Sequence, residues 1–472
     1  MTTPIRTAVL VVSVLAALLI AAALVAWLMV DTDQVKKRLE AGLSETLNMD
    51  VQVGQPLHFG LLQGPNVTIA DLKVSRQGQV VATAESVSVG LATFSLLTGD
   101  VHPIDLHIKR PELVVERSSS GVFNIYEPEP GELDKLSLQR LRVSDARLTY
   151  LDQTTEKKWL MEQCDLDLST IRHNGGTLEQ VLESLAAEGK VQCGSLSQDR
   201  LRVSELSVEI RGDNGLFELE PISAIALGGT LSGRIEADLS SRAPALSLEN
   251  RLAAFDFGAF MNMLNPDQVA AGNLDLDLAL SAQGSNWLEF RQSATGTFSL
   301  NSGELTFDGY DLDEELEDYA ETQRFNLIDV GAVFLAGPVG LAVTRGYAFT
   351  GLLEGSEGST TIDQMVSEWA VEDGVAQARD VAFRTPKNRL ALTGALDFGN
   401  YSFKNLRVAV IDSEGCAVVE QEVSGPFRDP EIEKPNVLVA VTGPMFDLVQ
   451  RGVRAITNSD CDTFYTGSMP HP

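Results

Sequence analysis

Aromatic residues are scarce, 6% of the chain against 44% hydrophobic overall, so aliphatic Leu, Val, Ile and Ala must supply any core. Basic residues are short too: 36 Lys and Arg face 66 Asp and Glu, a formal net charge of −30. A field of that sign repels phosphate backbones and argues against nucleic acid as a partner. It equally opposes the body lying flat on anionic lipid. The five histidines are scattered and none of the four cysteines forms a CxxC pair, so the close ligand pairs of a structural zinc are missing. His102 and His107 would face opposite ways on one regular strand. No Gly-x-Ser-x-Gly elbow, no phosphate loop ending Gly-Lys-Ser/Thr and no His-Glu-x-x-His occurs. The expectation is a protein with no catalytic residue, cofactor or metal, and not an enzyme.

Against these absences stands one long uncharged run, residues 7–30. As a helix it would measure about 36 Å, enough to cross a bilayer with some tilt. Trp27 lies near one end, where interfacial aromatics are common. The small residues Ala21, Ala22, Ala23 and Ala26 leave a cleaved signal peptide as the alternative. Arg6 before the run and Lys36, Lys37 and Arg38 after it lean towards a cytoplasmic body, although a long domain translocates regardless of that count. The acidic body and the even cysteine count point instead to export. Neighbouring cysteines are then expected to pair, Cys164 with Cys193 and Cys416 with Cys461, the alternative being four buried thiols. Closing loops of roughly 30 to 46 residues would contribute roughly 3.5–4 kcal/mol by the chain-entropy account.

After the run, Val35, Leu39, Leu43 and Leu47 recur every four residues and predict an amphipathic helix whose stripe plugs the near end of the body. From Val51 the rhythm changes to two-residue alternation. Val87, Val89 and Leu91 share one face of a predicted strand, as do Ile104, Leu106 and Ile108, then Leu206, Val208 and Ile210, then Leu274, Leu276, Leu278 and Leu280. Leu390 and Leu392 read the same way. Such alternation predicts antiparallel sheet with one dry and one wet face. About twenty strands at roughly 4.8 Å each would extend about 95 Å. Short helices are expected at 178–185, behind a Thr177/Gln180 capping box, at 258–264 and at 311–324. A one-faced sheet must cover its apolar side with a second sheet, with closure into a barrel, or with a curl filled by lipid, and periodicity does not choose among them.

Other candidates carry bland readings. Asp311, Asp313, Glu314, Glu315, Glu317 and Asp318 lack EF-hand spacing and suit a solvated helix start. Residues 330–344 form an uncharged stretch broken by Gly337-Pro338, a buried hairpin or a membrane-touching tip. Residues 443–456 predict a closing helix with Phe446, Val449, Val453 and Ile456 on one side, a cap or a lid.

Pro65-Asn66-Val67-Thr68-Ile69-Ala70-Asp71-Leu72-Lys73-Val74 is similar to the early strand pair of AsmA-family proteins, and Ala84 to Leu91 and Leu96-Leu97-Thr98-Gly99-Asp100-Val101 come next in order. Pro111-Glu112-Leu113-Val114-Val115-Glu116-Arg117, the Gly121-Val122-Phe123-Asn124 turn and Leu141 to Asp152 complete the block. Gly309-Tyr310-Asp311-Leu312-Asp313, Arg389 to Gly394 and Gly425-Pro426-Phe427 resemble the family's later regions, so the resemblance spans nearly the whole chain and is weakest over 157–220.

The resemblance implies a mainly β protein with short helices: one N-terminal transmembrane helix, then an elongated, curled antiparallel β-sheet groove related to chorein-like, bridge-like lipid-transfer proteins. It implies an inner-membrane anchor, a periplasmic body, and binding or transport of phospholipid between inner and outer membranes in outer-membrane biogenesis. The alternative is a non-catalytic envelope scaffold acting on outer-membrane assembly components. The expected layout is a cytoplasmic tip (1–6), transmembrane helix (7–30), amphipathic helix (31–48), N-terminal chorein-like β region (49–156), middle β region (157–295), C-terminal β region (296–434) and a closing helix and tail (435–472). Val87, Val89, Leu91, Leu106 and Ile108 are the candidates for lining the lipid groove.

Overall fold

The computed structural model describes residues 49–54, 58–60, 66–91, 103–125, 138–264, 269–309, 311–322, 358–434, 436–437 and 462–472, with single positions at 36–37, 40–41, 44–45 and 327. The run at 7–30, the stripe residues Val35, Leu39, Leu43 and Leu47, and the stretches 330–344 and 443–456 lie outside them. Among the described residues no helix is long and apolar enough to cross a membrane. The fold is mainly β with few short helices, and the chain divides into two compact units, the first holding most of the chain up to Ala226 and the second most of the chain from Ser247 onwards.

The strands of the first unit are β1 (Asp50–Gln52), β2 (His58–Gly60), β3 (Asn66–Arg76), β4 (Gln79–Leu91), β5 (Pro103–Lys109), β6 (Glu112–Arg117), β7 (Arg140–Asp152), β8 (Lys157–Arg172), β9 (Ala186–Gln198), β10 (Leu201–Asp213), β11 (Leu216–Ala226) and β12 (Gly229–Asp238). Helix α1 (Leu178–Ser184) comes after β8, and its capping box is formed: Gln180 N donates to Thr177 Oγ1 and Thr177 N to Gln180 Oε1. Most hairpins turn on a residue and a glycine that both have positive φ, as at Gln77-Gly78, Asn214-Gly215 and Leu227-Gly228. That geometry matches the right-handed twist of the flanking strands.

The sheet is mixed rather than purely antiparallel. β5 and β6 both pair with β7 in parallel, whereas β3–β4, β4–β5 and the run β7–β8–β9–β10–β11 are antiparallel. Two-residue alternation is common to both kinds of pairing, so it could not reveal the exception. A parallel pair needs a crossover, here the connection between β6 and β7. At the start of the unit, β1 pairs with β3 and its remaining donors meet the preceding helical residues: Val51 N donates to Ser44 Oγ at 3.0 Å and Val53 N to Glu40 Oε1 at 2.8 Å. A strand edge is thereby covered by side chains four residues apart on one helical face.

The second unit contains β13 (Ala245–Asp256), α2 (Phe257–Leu264), β14 (Ala270–Gln283), α3 (Trp287–Gln292), β15 (Thr295–Asp308), α4 (Leu312–Thr322), β16 (Ser359–Ile362), β17 (Gln364–Glu372), β18 (Val375–Arg384), β19 (Arg389–Asp397), β20 (Ser402–Ile411) and β21 (Ala417–Pro426). β14, β15, β17, β18, β19, β20 and β21 pair antiparallel in that order. Both faces are covered. Phe298, Leu300, Trp369, Phe383, Leu390 and Val408 pack on one side with α2 and α4. Val366, Ala382, Ala391, Ala409 and Ile411 face the other side, under Tyr465 and Met469 of the terminal segment. Tyr465 Oη donates to Asp380 and accepts from Met469 N, while Arg389 donates to Met469 O at 2.8 Å. Asp311 accepts from Glu314 N at 3.0 Å, so the start of the acidic cluster caps α4.

Candidate functional site

Strand register places apolar residues in rows across the first unit. One row reads Ile69, Val87, Ile108, Val143, Leu166, Val191, Val208 and Ile222, from β3 to β11. A second reads Val74, Ala82, Leu113, Leu148, Met161, Leu196, Val203 and Ala226. Between them lie Leu72, Ala84, Ala146, Cys164, Cys193 and Leu206. The result is one apolar face spanning successive strands without a charged side chain in either row.

The rows stay on one face because residues in the left-handed region stand where alternation changes phase. Asp71, Arg110, Asp145, Gln163 and Glu205 have φ between 46° and 54°, the left-handed region. At Asp145, Gln163 and Glu205 the register shifts, so these are β-bulges. On β7 the inward residues run Leu141, Val143, then Ala146, Leu148. On β10 they run Val203, then Leu206, Val208, Ile210. Bulges bend a strand and increase its twist.

Cover along this face is uneven. Val87, Val89, Leu106 and Ile108 are 0–1% exposed and belong to a packed cluster. Phe123, Ile125 and Leu138, from the two ends of the β6–β7 crossover, join that cluster. Four of the five groove candidates therefore belong to a packed cluster, and of these Ile108 also lines the cavity described below. Leu91 ends β4, and its side chain lies outside the described set. Farther along the same face, Val191, Leu196, Val203, Leu206, Val208 and Ile210 are half-buried and belong to none of the packed clusters among the described residues. Partly exposed apolar residues that adjoin on a sheet form a candidate binding surface.

Where the covered and open stretches meet lies a cavity of about 230 Å³. Leu72, Ala84, Ile108 and Val143 form its buried side, and Met161, Cys164, Leu166 and Val191 its half-buried side. The small side chains of Ala84 and Ala146 between the rows, and of Ala82 in the second row, line the space. Cys164 and Cys193 also line it and are disulfide-bonded directly across β8 and β9, with Cα atoms 4.0 Å apart. Cys416 is disulfide-bonded as well, and its expected partner Cys461 lies outside the described residues.

The opposite face is polar and cross-paired. Arg142 meets Asp105 at 3.2 Å and Arg140 meets Asp167 at 2.7 Å, while Lys109 and Arg110 both meet Glu85. His107 lies among them, its Nε2 3.0 Å from Ser144 Oγ. Burial, then the charge of Arg142, holds its pKa below the ordinary imidazole value. It is placed for sheet pairing, away from the apolar face; His102 lies outside the described residues.

With that geometry in place, residues 174–343 match the model of the AsmA family. Residues 174–343 belong to the AsmA family. The matching stretch begins just before α1, takes in β9 and β10 with the open part of the apolar face, and continues through β15. The N-terminal block that resembles the family in sequence, residues 51–152, falls outside that match. No curated protein and no solved structure matches the chain.

Proposed function

We propose that this AsmA-family protein binds phospholipid by its acyl chains on the open apolar face of β9 and β10 and passes it along that face, without catalysis. The observation that carries the reading is the half-buried set Val191, Val208 and Leu206, in register with a packed core yet outside it. Acyl chains suit such a floor because each buried methylene contributes about 0.8 kcal/mol and the attraction has no direction. Sliding then requires no bond to be broken. Family membership supports an envelope role in lipid transport or in assembly. On this reading the run at 7–30 anchors the chain in the inner membrane and the body works in the periplasm, moving lipid towards the outer membrane.

Native mass spectrometry of the gently solubilised full chain tests the proposal. Copurified phospholipid is the expected result. A lipid-free spectrum under conditions that preserve the fold would leave the scaffold reading, in which the same face meets an outer-membrane assembly component.

A further inference from the structure

Resting on the lipid reading, we propose that the cavity at the junction of the covered and open stretches is an end-pocket for one acyl tail, and that its depth sets the chain length the protein prefers. Three observations meet there. The cavity is apolar, with the side chains of Leu72, Ala84, Ile108, Val143, Leu166 and Val191 on its wall. One side is fully buried while the other consists of residues of the open face, so a chain lying on the floor has a way in and a blind end. The space of about 230 Å³ exceeds the roughly 150 Å³ at which a leucine-lined cavity stays dry yet admits benzene.

The blind end has a structural cause. Ala82, Ala84 and Ala146 stand where the longer side chains of neighbouring rows would otherwise meet. The Cys164–Cys193 bridge fixes β8 to β9 at the mouth. A headgroup does not suit the pocket, because its accessible lining is almost wholly apolar and a phosphate there would give up its hydration. The tail's methyl end therefore enters first and the headgroup stays on the open face.

The test uses lysophosphatidylcholines with lauroyl, myristoyl, palmitoyl and stearoyl chains, titrated against the full chain under native mass spectrometry. Each variant is compared with the unaltered protein on the same ligand, so differences in ligand partitioning cancel. Ala146→Leu shortens the pocket, and affinity for the longest chains should fall by about fourfold for every methylene excluded. Affinity for the lauroyl ligand should be unchanged. Ile108→Ala deepens the pocket on its buried side and should move the preference towards longer chains, an opposite shift that misfolding would not produce. If both variants bind all four ligands in the wild-type ratios, the end-pocket is refuted while the lipid reading stands. If the unaltered protein binds none of the four, the lipid reading and the pocket fall together.

Discussion

Two substitutions on the same sheet face should separate lipid binding from stability. Val208 lies in the middle of the open floor, half-buried, whereas Leu106 lies among the covered strands and is 0% exposed. Val208→Glu places a carboxylate where an acyl chain would rest. The lost valine contact is worth up to about 1.5 kcal/mol, and setting hydrocarbon against an ionised carboxylate costs several kcal/mol more. Bound lipid should therefore fall by more than about a hundredfold, since every 1.4 kcal/mol or so is tenfold. Stability should change by less than about 1 kcal/mol, because the Val208 position already meets solvent. Leu106→Ala should do the reverse. Truncating a fully packed leucine costs about 2–5 kcal/mol, which should lower the melting temperature of the first unit by roughly 5–15 °C. Its lipid content at low temperature should be near wild type. Native mass spectrometry reads the first quantity and thermal unfolding the second. Wild-type lipid in a folded Val208→Glu protein would refute the assignment of the open floor, and lipid loss from Leu106→Ala without destabilisation would move the site to the covered strands.

Three further outcomes are expected. Replacing Cys164 and Cys193 by serine should remove about 3.5 kcal/mol, the chain-entropy value for a loop of that size, read as a lower urea midpoint that added reductant does not lower further. Tyr465→Phe removes the hydroxyl that bridges Asp380 and Met469 N; it should cost about 1–3 kcal/mol locally and speed proteolysis of the terminal segment without altering bound lipid. In the second unit, burial raises the Asp397 pKa, but hydrogen bonds from Lys404 and Asn400 outweigh it and hold the group below its ordinary 3.8. Its stabilising contribution is present above that value and is lost as pH falls below it through the folded-state pKa, so acid unfolding of the wild type should steepen there and that of Asp397→Asn should not.

The comparison of Leu106 with Val208 also shows how far the sequence reaches. The alternation at Val87-Ser88-Val89 and Leu206-Ser207-Val208 reads identically, because both are strands with one apolar side. The phase changes were present as well: Leu141 and Val143, then Ala146 and Leu148, break a strict period of two at Asp145. They read as irregular strands until the left-handed φ of Asp145 and its register shift identify a bulge. Parallel pairing of β5 and β6 with β7 left no mark in the period. The cavity was invisible for a related reason: Ala84, Ala146 and Cys164 are distant in sequence and adjoin only through register.

What the sequence determined alone is therefore local: which residues alternate, where helices cap, as at Thr177 and Gln180, and that a long apolar face would result. Dihedral preference and side-chain spacing act over a few residues, so they are written in order along the chain. Which stretch of that face is closed depends on where Phe123, Ile125 and Leu138 come to rest, and that is fixed only when the crossover between two parallel-paired strands folds across the sheet. Burial is a property of what lies opposite a side chain, and only the tertiary structure supplies the opposite surface.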